Sequence, residues 1–158
     1  MDVREYVEKH LAELEHGLDE DGSCLIEIDD DRECVIVQPE GSEMLLFCVN
    51  VALVAELDRV GLYEHLLIMN FLDDVTGGAA LGLTPDGEVL AVRLTLRATD
   101  ISGGDIERIV ANLGNLAERI AYDLKDRRGA AGAGTAASES EVQVPSTDGP
   151  DGGPAKYA

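Results

Sequence analysis

Apolar positions along this chain change their period several times, and each change marks a new kind of element. Val3, Val7, Leu11, Leu14 and Leu18 recur at helical spacing, which predicts an amphipathic helix over about Asp2 to Leu18, with Gly17 marking its end. Glu5, Glu8, Glu13 and Glu15 keep much of its remaining surface wet. The period then drops to two. Cys24–Asp29 places Cys24, Ile26 and Ile28 on one face of a strand and Leu25, Glu27 and Asp29 on the other. Glu33–Gln38 opposes Val35 and Val37 to Cys34 and Ile36, so both faces of the second strand are largely apolar. Met44–Val49 is a continuous apolar run and reads as a central strand. Asp30-Asp31-Arg32 and Pro39-Glu40-Gly41-Ser42 supply the turns between these three.

Residues 50–61 fit either a helical turn or a packed loop ending at Gly61. A helix over Leu62–Leu72 follows, with Leu62, Leu66, Met69 and Asn70 near one stripe and Leu67 and Phe71 beside it. Gly77-Gly78 breaks the chain. Ala79–Thr84 and Glu88–Leu96 then flank Pro85-Asp86-Gly87, a strong hairpin signal. The second strand of that pair turns Leu90, Val92, Leu94 and Leu96 inward and Val89, Ala91, Arg93 and Thr95 to the other face. A last helix is predicted over Gly103–Lys125, capped by Ser102, with an apolar stripe of Ile106, Ile109, Val110, Leu113, Leu116, Ala117, Ile120 and Leu124. The order α-β-β-β-α-β-β-α defines an α+β fold, an antiparallel twisted sheet flanked by helices. Its apolar strand faces exceed what the first and last helices can cover from one side. Something else should cover the surplus.

At 158 residues the chain suits one domain with a tail. Residues 1–128 form the predicted domain. Residues 129–158 are rich in Gly, Ala, Ser and Pro, with Val142 and Val144 their larger aliphatics, and are expected to be disordered because they bury too little to offset the entropy of ordering. The formal charge of −20 belongs mostly to the domain, since the tail carries only four of the 32 acids. Such a field repels phosphate backbones and anionic lipid, so nucleic acid and membrane surfaces are excluded as partners. Cys24, Cys34 and Cys48 have no CxxC spacing and lie in apolar runs, as small hydrophobes of a reducing compartment do. The N-terminus is acidic where a signal peptide is basic and then apolar, and no apolar run reaches 18 residues, so a cytoplasmic location is expected.

Catalytic patterns are missing. His10, His16 and His65 form no HExxH, and no cysteine pair stands near them at zinc spacing. An EF-hand register with Gly22 at its sixth position would need an acid and a glutamate where Gly17 and Ile28 stand. The glycine pairs lack the Lys-Ser/Thr of a phosphate loop, and no GxSxG elbow is present. No catalytic, cofactor-binding or metal-binding residue is assigned, and no enzyme activity is expected. The reading left is protein binding.

The helix carrying Leu62, Leu66, Leu67 and Asn70, then Thr76-Gly77-Gly78-Ala79-Ala80-Leu81-Gly82-Leu83, Pro85-Asp86-Gly87 and the apolar strand to Leu96, resembles the class I type III secretion chaperones of the CesT/Tir-chaperone family. The likeness in kind spans about residues 3–125. It implies a homodimer without cofactor that holds the N-terminal chaperone-binding segment of a secreted effector extended and ready for export. In that family the second helix and the strand after it supply the dimer contact, which implies Leu62, Leu66, Met69, Asn70, Ala79 and Leu81 here, and Leu66→Asp is expected to split the pair. Effector contacts fall on the first helix and outer sheet surfaces, which implies Val7, Leu11, Leu14, Val35, Val37, Val89 and Ala91. An extended peptide can add a strand to a sheet edge and seat alternate side chains in pockets. The competing reading is a regulatory or interaction module of the same fold, like the YbjN-like proteins, outside any export system.

Overall fold

The computed structural model describes residues 2–57, 61–72 and 76–134, with side chains as far as 126. Of the tail expected at 129–158, residues 135–158 lie outside the described residues, and 129–134 continue the last helix. Helix α1 covers Val3–Ala12, strands β1 to β3 cover Ser23–Asp29, Arg32–Val37 and Met44–Leu53, and helix α2 covers Leu62–Phe71. Strands β4 (Ala80–Leu83) and β5 (Val89–Arg97) form the hairpin, and helix α3 runs over Gly103–Gly134. The five strands make one antiparallel sheet in the order β1-β2-β3-β5-β4. The α+β architecture and its element order are those the hydrophobic pattern predicts.

α3 lies across β1, β2, β3 and β5, and α1 packs against α3 and the short 3₁₀ turn Ala98–Asp100. Between them is one core: Val7 and Leu11 from α1, Cys34, Ile36, Leu45, Phe47, Val49, Leu90 and Val92 from the sheet, and Ile106, Val110, Leu113, Ala117 and Ile120 from α3. β5 turns inward the face its alternation assigns, while in β2 the inward side is Cys34 and Ile36 and in β3 it is Leu45, Phe47 and Val49, sides the sequence pattern left open. Ser102 caps α3 as expected, its Oγ donating to Asp105 Oδ2 at 2.7 Å while its carbonyl accepts the N–H of Asp105 and of Ile106. That contact and the Ser102 backbone N–H hold the Asp105 carboxyl below its ordinary range.

Three boundaries differ from expectation, each for a local reason. α1 stops at Ala12 rather than Leu18. His16 N–H returns to the Leu11 carbonyl (2.9 Å) and Glu15 N–H to the Ala12 carbonyl (3.1 Å), a Schellman closure with Glu15 in the left-handed region at φ 62°. Leu14 and Leu18 still pack on the core, from the turn rather than from a helix. Because Glu15 carries a Cβ where glycine is preferred, Glu15→Gly should raise stability by about 1 kcal/mol, read as a higher urea midpoint. β3 continues to Leu53 across a bulge between Asn50 and Ala52, and Val54–Glu56 forms a 3₁₀ turn, so the open segment is strand and turn as far as Leu57, with residues 58–60 outside the described residues. α3 continues past Lys125 through the alanines and glycines to Gly134.

Two close approaches fix β1 beneath α3. Gly22, at φ 79°, opens the strand where a Cβ would sit 2.6 Å from the Gln38 carbonyl oxygen. Gly114 of α3 meets Ile28, whose Cγ2 would be 2.8 Å from an added Cβ. Arg32 at the β1–β2 turn reaches Asp29 at 3.0 Å and Glu118 of α3 at 3.5 Å.

Candidate protein-binding surfaces

Helices cover one face of the sheet. On the other face the register brings Leu25, Val35 and Cys48 into one row, continuing to Arg93 and Ala80, with Val37, Leu46 and Thr95 in the next. Val35, Val37, Leu46 and Cys48 are half-buried and Leu25 is 48% exposed, so an apolar patch faces solvent beside Glu27, Glu33 and Arg93. This is part of the surplus the strand patterns predict.

α2 supplies the rest. It lies along β4 and carries apolar residues on every side, with Glu64, His65 and Asn70 among them. Leu62, Leu66 and Met69 enter the chain's own core, while Tyr63, Leu67, Ile68 and Phe71 point outward, Leu67 at 71% and Phe71 at 88% exposure. Leucine and phenylalanine at such exposure, four residues apart on one helix, form an unpartnered stripe.

The two edges of the sheet are not alike. In the β4–β5 hairpin Thr84 N–H donates to the Val89 carbonyl at 2.9 Å. With the pairing of Gly82 to Ala91, this alternation turns the N–H and C=O of Leu81 away from β5. Asn70 of α2 meets both groups, accepting the Leu81 N–H on Oδ1 (2.6 Å) and donating Nδ2 to the Leu81 carbonyl (2.8 Å). Ala79 N–H is taken by the Thr76 carbonyl at 3.1 Å. The β4 edge is thereby closed at Leu81, while Leu83 turns its backbone groups outward by the same alternation.

At β1, Gln38 N–H donates to the Gly22 carbonyl (2.9 Å), so Cys24–Ile36 and Ile26–Cys34 exchange the ladder bonds. Ser23, Leu25 and Glu27 therefore point their backbone groups outward. The Ser23 groups are used locally, by Asp19 N–H and the Asp21 carboxylate. Leu25 and Glu27 face open solvent along the edge. Beneath them a cleft of about 310 Å³ is lined by Leu14, His16, Ile26, Ile28, Glu107, Val110 and Ala111.

The residues assigned by resemblance distribute as follows. Of the dimer set, Leu62, Leu66, Met69, Ala79 and Leu81 are buried within the subunit, and Asn70 is engaged with Leu81. Of the effector set, Val7, Leu11 and Ala91 are buried, Leu14 lines the cleft below β1, Val35 and Val37 lie on the open sheet face, and Val89 is half-buried. Tyr63, Leu67, Ile68 and Phe71, and the open backbone of Leu25 and Glu27, stand outside both sets. The signal for the first four was present as an i, i+4 pair, Leu67 and Phe71, on a helix with apolar residues on every side.

The cysteines have no reactive setting. Burial pushes the Cys34 thiol up to about 12, and burial also raises Cys48, with Arg93 pulling the other way. Cys48 is half-exposed on the open face and Cys34 is fully buried. At pH 8 the Cys34 thiolate fraction is about one in ten thousand, so iodoacetamide should label Cys48 at least about 100-fold faster, as read by peptide mass spectrometry. Among the described residues, no group of three or more His, Cys, Asp or Glu is placed to hold a metal, and no helix is long and apolar enough to cross a membrane.

An open-faced α+β sheet with a greasy outer helix and an open β1 edge is an architecture suited to binding protein. Residues 10–121 match the model of the Tir chaperone protein (CesT) family, and the chain belongs to that family, one of secretion chaperones rather than enzymes. A Chlamydia pneumoniae protein is 32% identical over 107 residues, covering 68% of this chain and 81% of its own length. The fold is also that of the ExsC–ExsE complex, at TM-score 0.70 and 21% identity over 78% of this chain and 97% of that one. The Yersinia pestis type III secretion chaperone SycH, solved with a YscM2 fragment, aligns at TM-score 0.55 and 17% identity over 73% and 97%. A Methanothermobacter thermautotrophicus protein aligns at TM-score 0.55 and 16% identity over 80% and 99%.

Proposed function

We propose that this protein is a dimeric type III secretion chaperone of the bacterial cytoplasm, holding the N-terminal segment of an effector extended and ready for export. The observation that carries the reading is the distribution of exposed apolar surface among the described residues: a stripe on α2 and a patch on the outer sheet face, beside the open edge of β1. The first suits a second copy of the chain. A standard interface buries roughly 1,600 Å² in total, and Tyr63, Leu67, Ile68 and Phe71 supply its apolar centre. The open edge of β1, beside the second, suits a client. A strand laid against Leu25 and Glu27 would complete their hydrogen bonds and drop alternate side chains into the cleft at Ile26 and Ile28, with Leu14 at its rim. Family membership supports the same reading, as do solved structures of the fold with effectors bound, including the HopA1–SchA chaperone–effector complex.

Co-expression with the products of neighbouring genes, followed by size exclusion and limited proteolysis, tests it. The expected result is an effector N-terminal fragment protected at two chaperones per effector. A lone monomer that captures no neighbour overturns the proposal. The fold also occurs in the Methanothermobacter protein. Co-purification with a transcription or signalling factor would favour the second reading, a YbjN-like regulatory module.

A further inference from the structure

The open edge of β1 is bracketed by charge. Around its start lie Asp2, Glu20, Asp21, Glu40 and Glu43, with Arg4 among them, in one depression. Around its end lie Glu27, Asp29, Asp30, Asp31 and Glu33, with Arg32 turned to Asp29 and Glu118. Ser23 holds the Asp21 carboxyl below its ordinary range through two hydrogen bonds, so it stays ionised in neutral solution. The seven residues of β1 place the two clusters about 20 Å apart, farther than a Debye length in physiological salt. Each end therefore acts on its own part of a docked strand.

Resting on the client reading of this edge, we propose that the segment bound there carries two aliphatic side chains two residues apart, with a lysine or arginine beyond each end. The aliphatic pair sits opposite Ile26 and Ile28 over the cleft, and the cations lie against the two acidic clusters.

Charge decides among the occupants that could pair with this edge. The chain's own tail holds an aliphatic pair at the same spacing, Val142 and Val144, but Glu139 and Glu141 precede it and Asp148 follows. It would bring acids onto acids at both ends. A second β1, laid antiparallel, would set the hairpin acids of one copy against Glu20 and Asp21 of the other. A basic-flanked segment from a partner meets opposite charge at both ends.

The test uses the full-length protein and three fluorescein-labelled peptides: Lys-Lys-Thr-Leu-Thr-Leu-Thr-Lys-Lys, its glutamate-flanked counterpart, and residues 138–150 of this chain. The lysine-flanked peptide should bind at least about tenfold more tightly than the other two in 50 mM salt, and the gap should narrow at 0.5 M as screening sets in. Leu25→Pro removes an outward N–H that the chain's own ladder does not use and should abolish binding. The triple variant Glu20→Lys, Asp30→Lys, Asp31→Lys changes only turn and loop residues, and should reverse the preference toward the glutamate-flanked peptide. Equal binding of the lysine- and glutamate-flanked peptides, or an unreversed preference in the triple variant, overturns the proposal. Tighter binding of residues 138–150 would assign the edge to the tail instead. Self-association abolished by Leu25→Pro would assign it to a second copy. Effector capture that the triple variant leaves untouched defeats this inference alone, and leaves the chaperone reading standing. Peptide selectivity without any effector capture does the reverse.

Discussion

The double substitution Leu67→Asp, Phe71→Asp should halve the mass seen by light scattering while thermal unfolding stays cooperative. Both side chains lie outside the subunit, so two carboxylates there cost the monomer little. In a pair they would be desolvated against apolar partners, and an unpaired buried charge costs several kcal/mol, enough to abolish association at micromolar concentration. Leu66→Asp behaves differently. Leu66 is 6% exposed and packs in the core, so this change unfolds the chain at a cost on the order of 3–5 kcal/mol. It reports on folding before it reports on dimer contact. Retention of full mass in the double variant, with native circular dichroism, would remove α2 as the seam.

Asn70→Ala should lower stability by about 2–4 kcal/mol. Its amide makes two short hydrogen bonds to Leu81, and without it a donor and an acceptor on an edge strand lose their partners while α2 loses its tie to β4. The urea midpoint measures the loss. Amide exchange locates it, because Leu81 N–H should exchange far faster while the β2–β3 amides keep their order of protection. Asn70→Asp keeps the acceptor for the Leu81 N–H but sets a carboxylate oxygen against the Leu81 carbonyl, so at neutral pH it should cost at least as much as Asn70→Ala. An unchanged Leu81 exchange rate would show that α2 is held by its apolar contacts alone.

These two cases also show what the sequence can and cannot specify. Strand faces were legible because alternation is a local property: Cys34 and Ile36 against Val35 and Val37 divide as written. The α3 stripe was legible because its other side is polar. α2 has apolar residues on every side, so periodicity could not say whether Leu66 or Leu67 meets the core. The position of β4 decides that, and β4 is a tertiary neighbour. α1 was drawn too long because its stop signal is glutamate in a conformation usually left to glycine, and Gly17 offered a false marker two residues later. The open edge at Leu25 and Glu27 follows from hydrogen-bond parity, which needs the register at Gly22–Gln38 and cannot be read from residue types.

The grip of α3 on the β1–β2 hairpin, through Gly114 on Ile28 and Arg32 on Glu118, has a consequence for release. A strand held in place before anything binds gains no freedom when its passenger departs. The passenger does: each residue leaving the edge recovers roughly 1–2 kcal/mol of backbone freedom. Unloading is then driven by the cargo's return to a mobile thread, so a pull on its free end can peel it away bond by bond while the carrier keeps its shape for the next one.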